Sequence, residues 1–121
     1  RAQLGGWLTK AAPLRGQNVV EFPKVWVYFA HVFGMRIVGT VEEKPGISPG
    51  PRHLEELVAT IKREKVRHVI VDNFYEPGTA RHAASAAGAR VVILPSQVGG
   101  EPGVTDYFRL IDHILDRLLA P

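Results

Sequence analysis

Four short apolar runs, each separated from the next by a helical pattern, constrain this chain more than any other feature. Residues 18–22 (NVVEF), 36–41 (RIVGTV), 68–71 (HVIV) and 91–94 (VVIL) are brief, β-branched and nearly continuous in their hydrophobicity. Such runs suit strands covered on both faces, and not the alternating strands of a sheet with one wet face. Between them, Trp26, Phe29 and Phe33 recur at helical spacing up to Gly34. Leu54, Leu57, Val58 and Ile61 fall at i, i+3, i+4 and i+7. An alanine-rich helix is predicted to open at Glu76-Pro77 and stop at Gly88. A last helix is predicted from about Val104 to Leu119, with Phe108, Ile111, Leu115 and Leu118 on its apolar face. The first residues, with Leu4, Trp7 and Leu8 in helical register, read as the tail of a longer helix ended by Pro13 and Gly16. The predicted order is α-β-α-β-α-β-α-β-α. This is an α/β fold, a three-layer lobe with a four-stranded parallel sheet flanked by helices.

The chain of 121 residues is long enough for one domain with a real core. Its 45% hydrophobic and 22% charged residues are those of a globular protein, and no run reaches the length of a membrane helix. The net charge of +3 is too mild to suggest a polyanion partner. The cluster from Lys62 to Arg67 lacks interleaved aromatics and reads as a solvated helix end, so no nucleic-acid partner is expected. The absence of cysteine excludes a thiol nucleophile, a cysteine zinc site and a disulfide framework. The chain starts on Arg1 within a helical pattern, which reads as a fragment or a mature product.

In open parallel sheets ligands collect beyond the carboxyl ends of the strands. Four segments lie there: 21–24, 42–48, 72–76 and 95–103. The loop 42–51 carries three prolines and two glycines, with Ser48 and Pro51 placed to cap and start the next helix. No Gly-rich phosphate loop is present, and neither Ser48 nor Ser96 lies in a nucleophile elbow. His31, His53, His82 and His113 fall on predicted helices and His68 on a strand start. None is paired with another at metal-ligand spacing, and all read as surface or boundary residues. The acids Glu21, Glu42, Glu43, Asp72 and Glu76 lie near the ligand-facing edge. Carboxylates gathered there could hold a hard or borderline cation. Alternatively, Asp72 and Glu42 accept hydrogen bonds from loop amides and helix N-termini.

The segment W-x-Y-F-A-x-x-F-G-M-x-I-V-G-T-V-E-E-K-P-G-I-S-P, from Trp26 to Pro49, resembles the C-terminal lobe of the zinc/manganese ABC-transporter solute-binding proteins, the helical-backbone metal receptors. VRHVIVDNFYEPGTARHAASAAGARVVIL and LPSQVGGEPGVTDYFRLIDHIL are similar to that family's later strands, acidic turn and closing helix. Residues 1–16 resemble the end of the helix joining the two lobes, and 17–121 the C-terminal α/β lobe. The resemblance implies a binding protein and not an enzyme. It further implies a periplasmic or extracellular location, an ABC permease as partner, and zinc or manganese as cargo held between this lobe and an N-terminal one. It also implies one metal ligand at Pro23 and another at Pro95 or Ser96. None of these three carries a usual donor group, which leaves Glu21 and Asp72 as the metal candidates of this lobe. Pro23, Trp26 and Ser96 are expected to line the cleft. A degenerate relative serving as an interaction module, or binding a non-metal ligand, is the alternative. An isolated lobe is expected to expose Leu4, Trp7 and Leu8 and to self-associate through them.

Overall fold

The computed structural model describes residues 2–42, 44, 47–97 and 106–120. Nine segments carry the fold: α1 (Ala2–Lys10), β1 (Asn18–Phe22), α2 (Val27–Phe33), β2 (Arg36–Thr40), α3 (Pro51–Arg63), β3 (His68–Asp72), α4 (Gly78–Ala87), β4 (Arg90–Leu94) and α5 (Tyr107–Leu119). A short 3-10 turn, Ala12–Leu14, joins α1 to β1. The alternation predicted from the apolar runs is therefore the alternation found.

All strand pairs are parallel, in the order β2-β1-β3-β4. β3 is central and buried along its whole length, because helices cover both sides of it. Alternate residues serve opposite cores. Val19, Ile70, Val92 and Leu94 join α1, α2 and α5 on one face. Val20, Phe22, Val69 and Val71 join α3 and α4 on the other. The chain moves outward from β1 to β2, then turns back past β1 to β3. Right-handed crossovers then require α2 and α3 to lie on opposite faces, as they do. This reversal leaves a crevice between the carboxyl ends of β1 and β3, the usual place for a ligand in such a sheet.

Several boundaries differ from expectation. The Phe22–Pro23 bond is cis, and α2 starts at Val27, after a turn in which the Val25 amide donates to the Pro23 carbonyl at 2.9 Å. Gly34 ends α2 in the left-handed region at φ 73°, as a glycine stop should. Gly50, with no side-chain cap, precedes Pro51 in α3, so Ser48 does not cap that helix. The α4 helix begins at Gly78, whose amide is taken by Glu76 Oε1 at 2.7 Å. Asp106 caps α5 by accepting from the Arg109 amide at 2.8 Å. The predicted start at Val104 and most of the 95–103 loop lie outside the described residues.

The first helix is not the exposed apolar surface expected of it. Trp7 is buried against α5, donates from Nε1 to Asp112 Oδ1 at 2.8 Å, and packs its ring 5.8 Å from that of Phe108. Lys10 Nζ adds an ion pair with Asp116 at 2.6 Å. Leu8 is partly exposed, and the side chain of Leu4 lies outside the described residues. The expected self-association surface loses its largest member because α1 folds back on the lobe's own last helix. Of the four residues expected on the apolar face of α5, Ile111, Leu115 and Leu118 are buried and Phe108 is 55% exposed; Leu110 and Ile114 join the core beside them.

His68 also departs from expectation: it is buried at the start of β3, whereas the other four histidines lie at the surface or its boundary. Arg90 Nη2 approaches its Nε2 at 3.1 Å. A guanidinium can only donate, so Nε2 is the acceptor and the ring is neutral with its proton on Nδ1. Burial, then Arg90 and Arg67, push its pKa below the ordinary 6.5. The unfolded chain therefore takes up the proton first. This contribution to stability is complete above about pH 6.5 and is lost as pH falls from there toward the lower folded value. Urea unfolding at pH 7 and pH 5 is expected to show a larger loss in the native protein than in His68→Gln. Equal losses would show that this ring does not couple folding to pH.

Candidate functional site at the strand ends

Glu21 and Asp72 flank the crevice from adjacent strands. Glu21 aligns with Ile70, and Asp72 stands two residues further along β3, so both side chains project toward the α1–α2–α5 face. Each is 3% exposed. The sheet thus brings together the two carboxylates singled out from the sequence.

Their partners differ. Glu21 Oε1 accepts from the Trp26 amide at 3.1 Å, at the threshold of α2. Burial raises its pKa above the usual 4.5, opposed by the Trp26 amide and the Lys24 charge. The Val25 amide opposes the rise as well, so the carboxylate is turned toward backbone amides of the turn between β1 and α2. Asp72 is more fully engaged. Its Oδ1 accepts from the Phe74 amide at 2.9 Å, forming an Asx-type turn, and its Oδ2 accepts from the Ser96 hydroxyl. The Asn73 amide meanwhile reaches the Leu94 carbonyl at 2.9 Å. Asp72 therefore fastens the turn after β3 to the segment after β4. The reading of Asp72 as an acceptor for loop amides holds. Glu42 is half-buried, Glu76 is exposed and occupied with Gly78, and Glu43 lies outside the described residues.

Pro23 is half-buried in the cis turn and offers no donor atom. Pro95 is fully buried. Ser96 uses its hydroxyl proton on Asp72. Trp26 is 3% exposed and packs edge-on to Phe29, their ring centres 6.5 Å apart. Trp26 and Ser96 share the wall of one cavity under α2. Among the described residues, no three histidine or acidic side chains come together as a metal site. The described part of the lobe can thus lend a carboxylate to a cation but does not by itself enclose one. The bond from Ser96 to Asp72 was missed at the sequence level, where Ser96 stood as a ligand position implied by the resemblance and as a residue lining the cleft.

A family model described as zinc-uptake complex component A, periplasmic, matches residues 3–120. No curated protein gave a significant match. Among solved structures, the crystal structure of ZnuA superposes with a TM-score of 0.78 at 18% identity, covering 97% of this chain and 43% of that one. The SBP FpvC from Pseudomonas aeruginosa in complex with Mn2+ gives 0.75 at 17%, covering 98% and 45%. The laminin-binding protein Lbp of Streptococcus pyogenes gives 0.70 at 20%, covering 97% and 48%. At such identities the likeness is one of fold. The chain spans less than half the length of each of these three proteins.

Proposed function

We propose, from the premise that the chain belongs to the periplasmic zinc-uptake component A family, that it is the C-terminal lobe of a solute-binding protein delivering zinc or manganese to an ABC permease. In this reading residues 1–16 end the helix between lobes, residues 17–121 form the lobe, and the protein works in the periplasm or at the outer face of the membrane. It binds and hands over a cation and performs no catalysis. The observation that carries the reading is the family match over nearly the whole chain, joined to a strand-end crevice with Glu21 and Asp72 on one face.

Glu21 is the better ligand candidate of the two, since its partners are backbone amides of the neighbouring turn, while Asp72 is also tied to the Ser96 hydroxyl. Asp72 then acts mainly by holding the Ser96 segment. The remaining ligands would come from a partner lobe. Burial raises the pKa of Glu21, so a cation captured there competes with a proton as pH falls, a dependence that Glu21→Gln removes. Titration of the two-lobe protein with zinc and with manganese tests the reading. Dissociation constants tighter than micromolar for one of them are expected, and weaker binding of both would overturn it.

A second reading rests on the donor-poor edge: Pro23 without a donor, Ser96 and Asp72 bonded to each other, and no three-ligand group among the described residues. It makes the chain an interaction module or a carrier of a non-metal ligand. A metal-free cleft holding an organic ligand or a tightly bound partner would favour it. A cation ligated by Glu21 or Asp72 would exclude it.

A further inference from the structure

A cavity of about 390 Å³ opens beside the crevice, between α1, α2 and α5. Its wall includes Trp7, Trp26, Phe29, Val32, Ile111 and Ser96. The described lining residues carry no charged side chain. No carboxylate or imidazole among the described lining residues could hold a metal ion there. The size and the aromatic, apolar character are those of a small-molecule site.

One polar group in this wall is unmatched. Trp26 is 3% exposed, yet its indole Nε1–H has no hydrogen-bond partner. A buried donor left unpaired is costly, and tryptophan N–H groups usually find an acceptor when buried. Ser96 supplies a further polar atom; its proton goes to Asp72, which leaves its oxygen lone pairs able to accept. Of the remaining described lining side chains, Trp7 has its indole N–H engaged by Asp112 and Tyr28 carries its hydroxyl on a ring that is 73% exposed; the others are aliphatic or phenyl. Tyr28 and Val25, at 73% and 49% exposed, stand at the solvent side and give a ligand a way in.

We infer that this cavity binds a neutral, planar, apolar small molecule carrying one hydrogen-bond acceptor, with Trp26 Nε1–H as the donor that orients it. The site adjoins the cation candidates through Trp26, whose amide holds Glu21, and Ser96, whose hydroxyl holds Asp72, but none of its described lining residues is itself a carboxylate or histidine.

The two tryptophans of the chain, Trp7 and Trp26, both line the cavity, so intrinsic fluorescence reads its occupancy directly. The probes are naphthalene and 2-acetylnaphthalene, which share a ring system and differ by a carbonyl acceptor. Both are expected to change the emission saturably at one equivalent. The ketone is expected to bind about fivefold more tightly, the worth of one ordinary hydrogen bond. Trp26→Phe, which keeps a ring and removes the N–H, is expected to abolish that difference while naphthalene still binds, as read by calorimetry. Val32→Phe, which fills the space from α2, is expected to weaken both probes at least tenfold with the circular dichroism unchanged. No saturable binding up to the solubility of either probe would overturn the inference, and would mean that another part of the chain or a second copy occupies the space. Equal affinities for the two probes in the native protein, or an undiminished preference in Trp26→Phe, would overturn the role of the indole.

Discussion

Replacing Asp72 by alanine is expected to lower the free energy of unfolding by about 3 kcal/mol, the scale for removing a buried charged acceptor that serves two donors. The carboxylate is 3% exposed and holds the Phe74 amide with one oxygen and the Ser96 hydroxyl with the other. Truncation strands both donors and cuts the tie between the turn after β3 and the segment after β4. Asp72→Asn keeps an acceptor for Phe74 and turns its amide group toward Ser96, whose oxygen can then accept. Its cost is expected to be nearer ~1 kcal/mol, the difference between charge-assisted and neutral bonds. Denaturant unfolding of Asp72→Ala, Ser96→Ala and the double variant should give a coupling of about 1–2 kcal/mol. Additive losses would show that the two side chains contribute separately. The result bears on function as well. A large coupling makes Asp72 a positioning residue for the cleft wall and leaves Glu21 as the lobe's available carboxylate.

The strands were readable because burial on both faces leaves a local mark. Val69-Ile70-Val71 is apolar without alternation, and a central strand in a covered parallel sheet has no wet face to encode. The α3 helix was readable because Leu57 and Ile61 repeat at helical spacing and Pro51 fits its first turn. Its cap was misread, since Ser48 offers a side chain but Gly50 holds the N-cap position. The site was only half legible. That Glu21 and Asp72 lie at strand ends follows from where the apolar runs stop. That they are neighbours on one face depends on β3 returning beside β1, which no local pattern records. The bond between Ser96 and Asp72 spans 24 residues and depends on the register of β3 with β4. His68 looked like a boundary residue because its burial and its hydrogen-bonding partner Arg90 come from the neighbouring strand, and only the charge of Arg67 is local.

The widest gap between sequence and structure lies at Trp7, and it gives the other large expected effect. Trp7 and Asp112 are 105 residues apart, so the helical spacing of α1 tells that it has an apolar face but not what covers it. The cover is α5, which offers Phe108 to the ring and Asp112 to the indole N–H, with Lys10 and Asp116 closing the side. Trp7→Ala is expected to cost about 3 kcal/mol, the lower end for removing a buried tryptophan because one side of the ring faces the cavity. Trp7→Phe keeps most of the packing and drops one hydrogen bond, for a loss of about 1 kcal/mol. Hydrogen exchange on α5 locates the effect: Trp7→Ala should speed exchange there while β1 and β3 stay protected. A loss below about 1 kcal/mol for Trp7→Ala would mean that α1 rests on the lobe without stabilising it. If the expected loss is found, the helix assigned to the junction between lobes is also part of this lobe's core. Any rigid-body motion of this α/β unit would then carry α1 with α5.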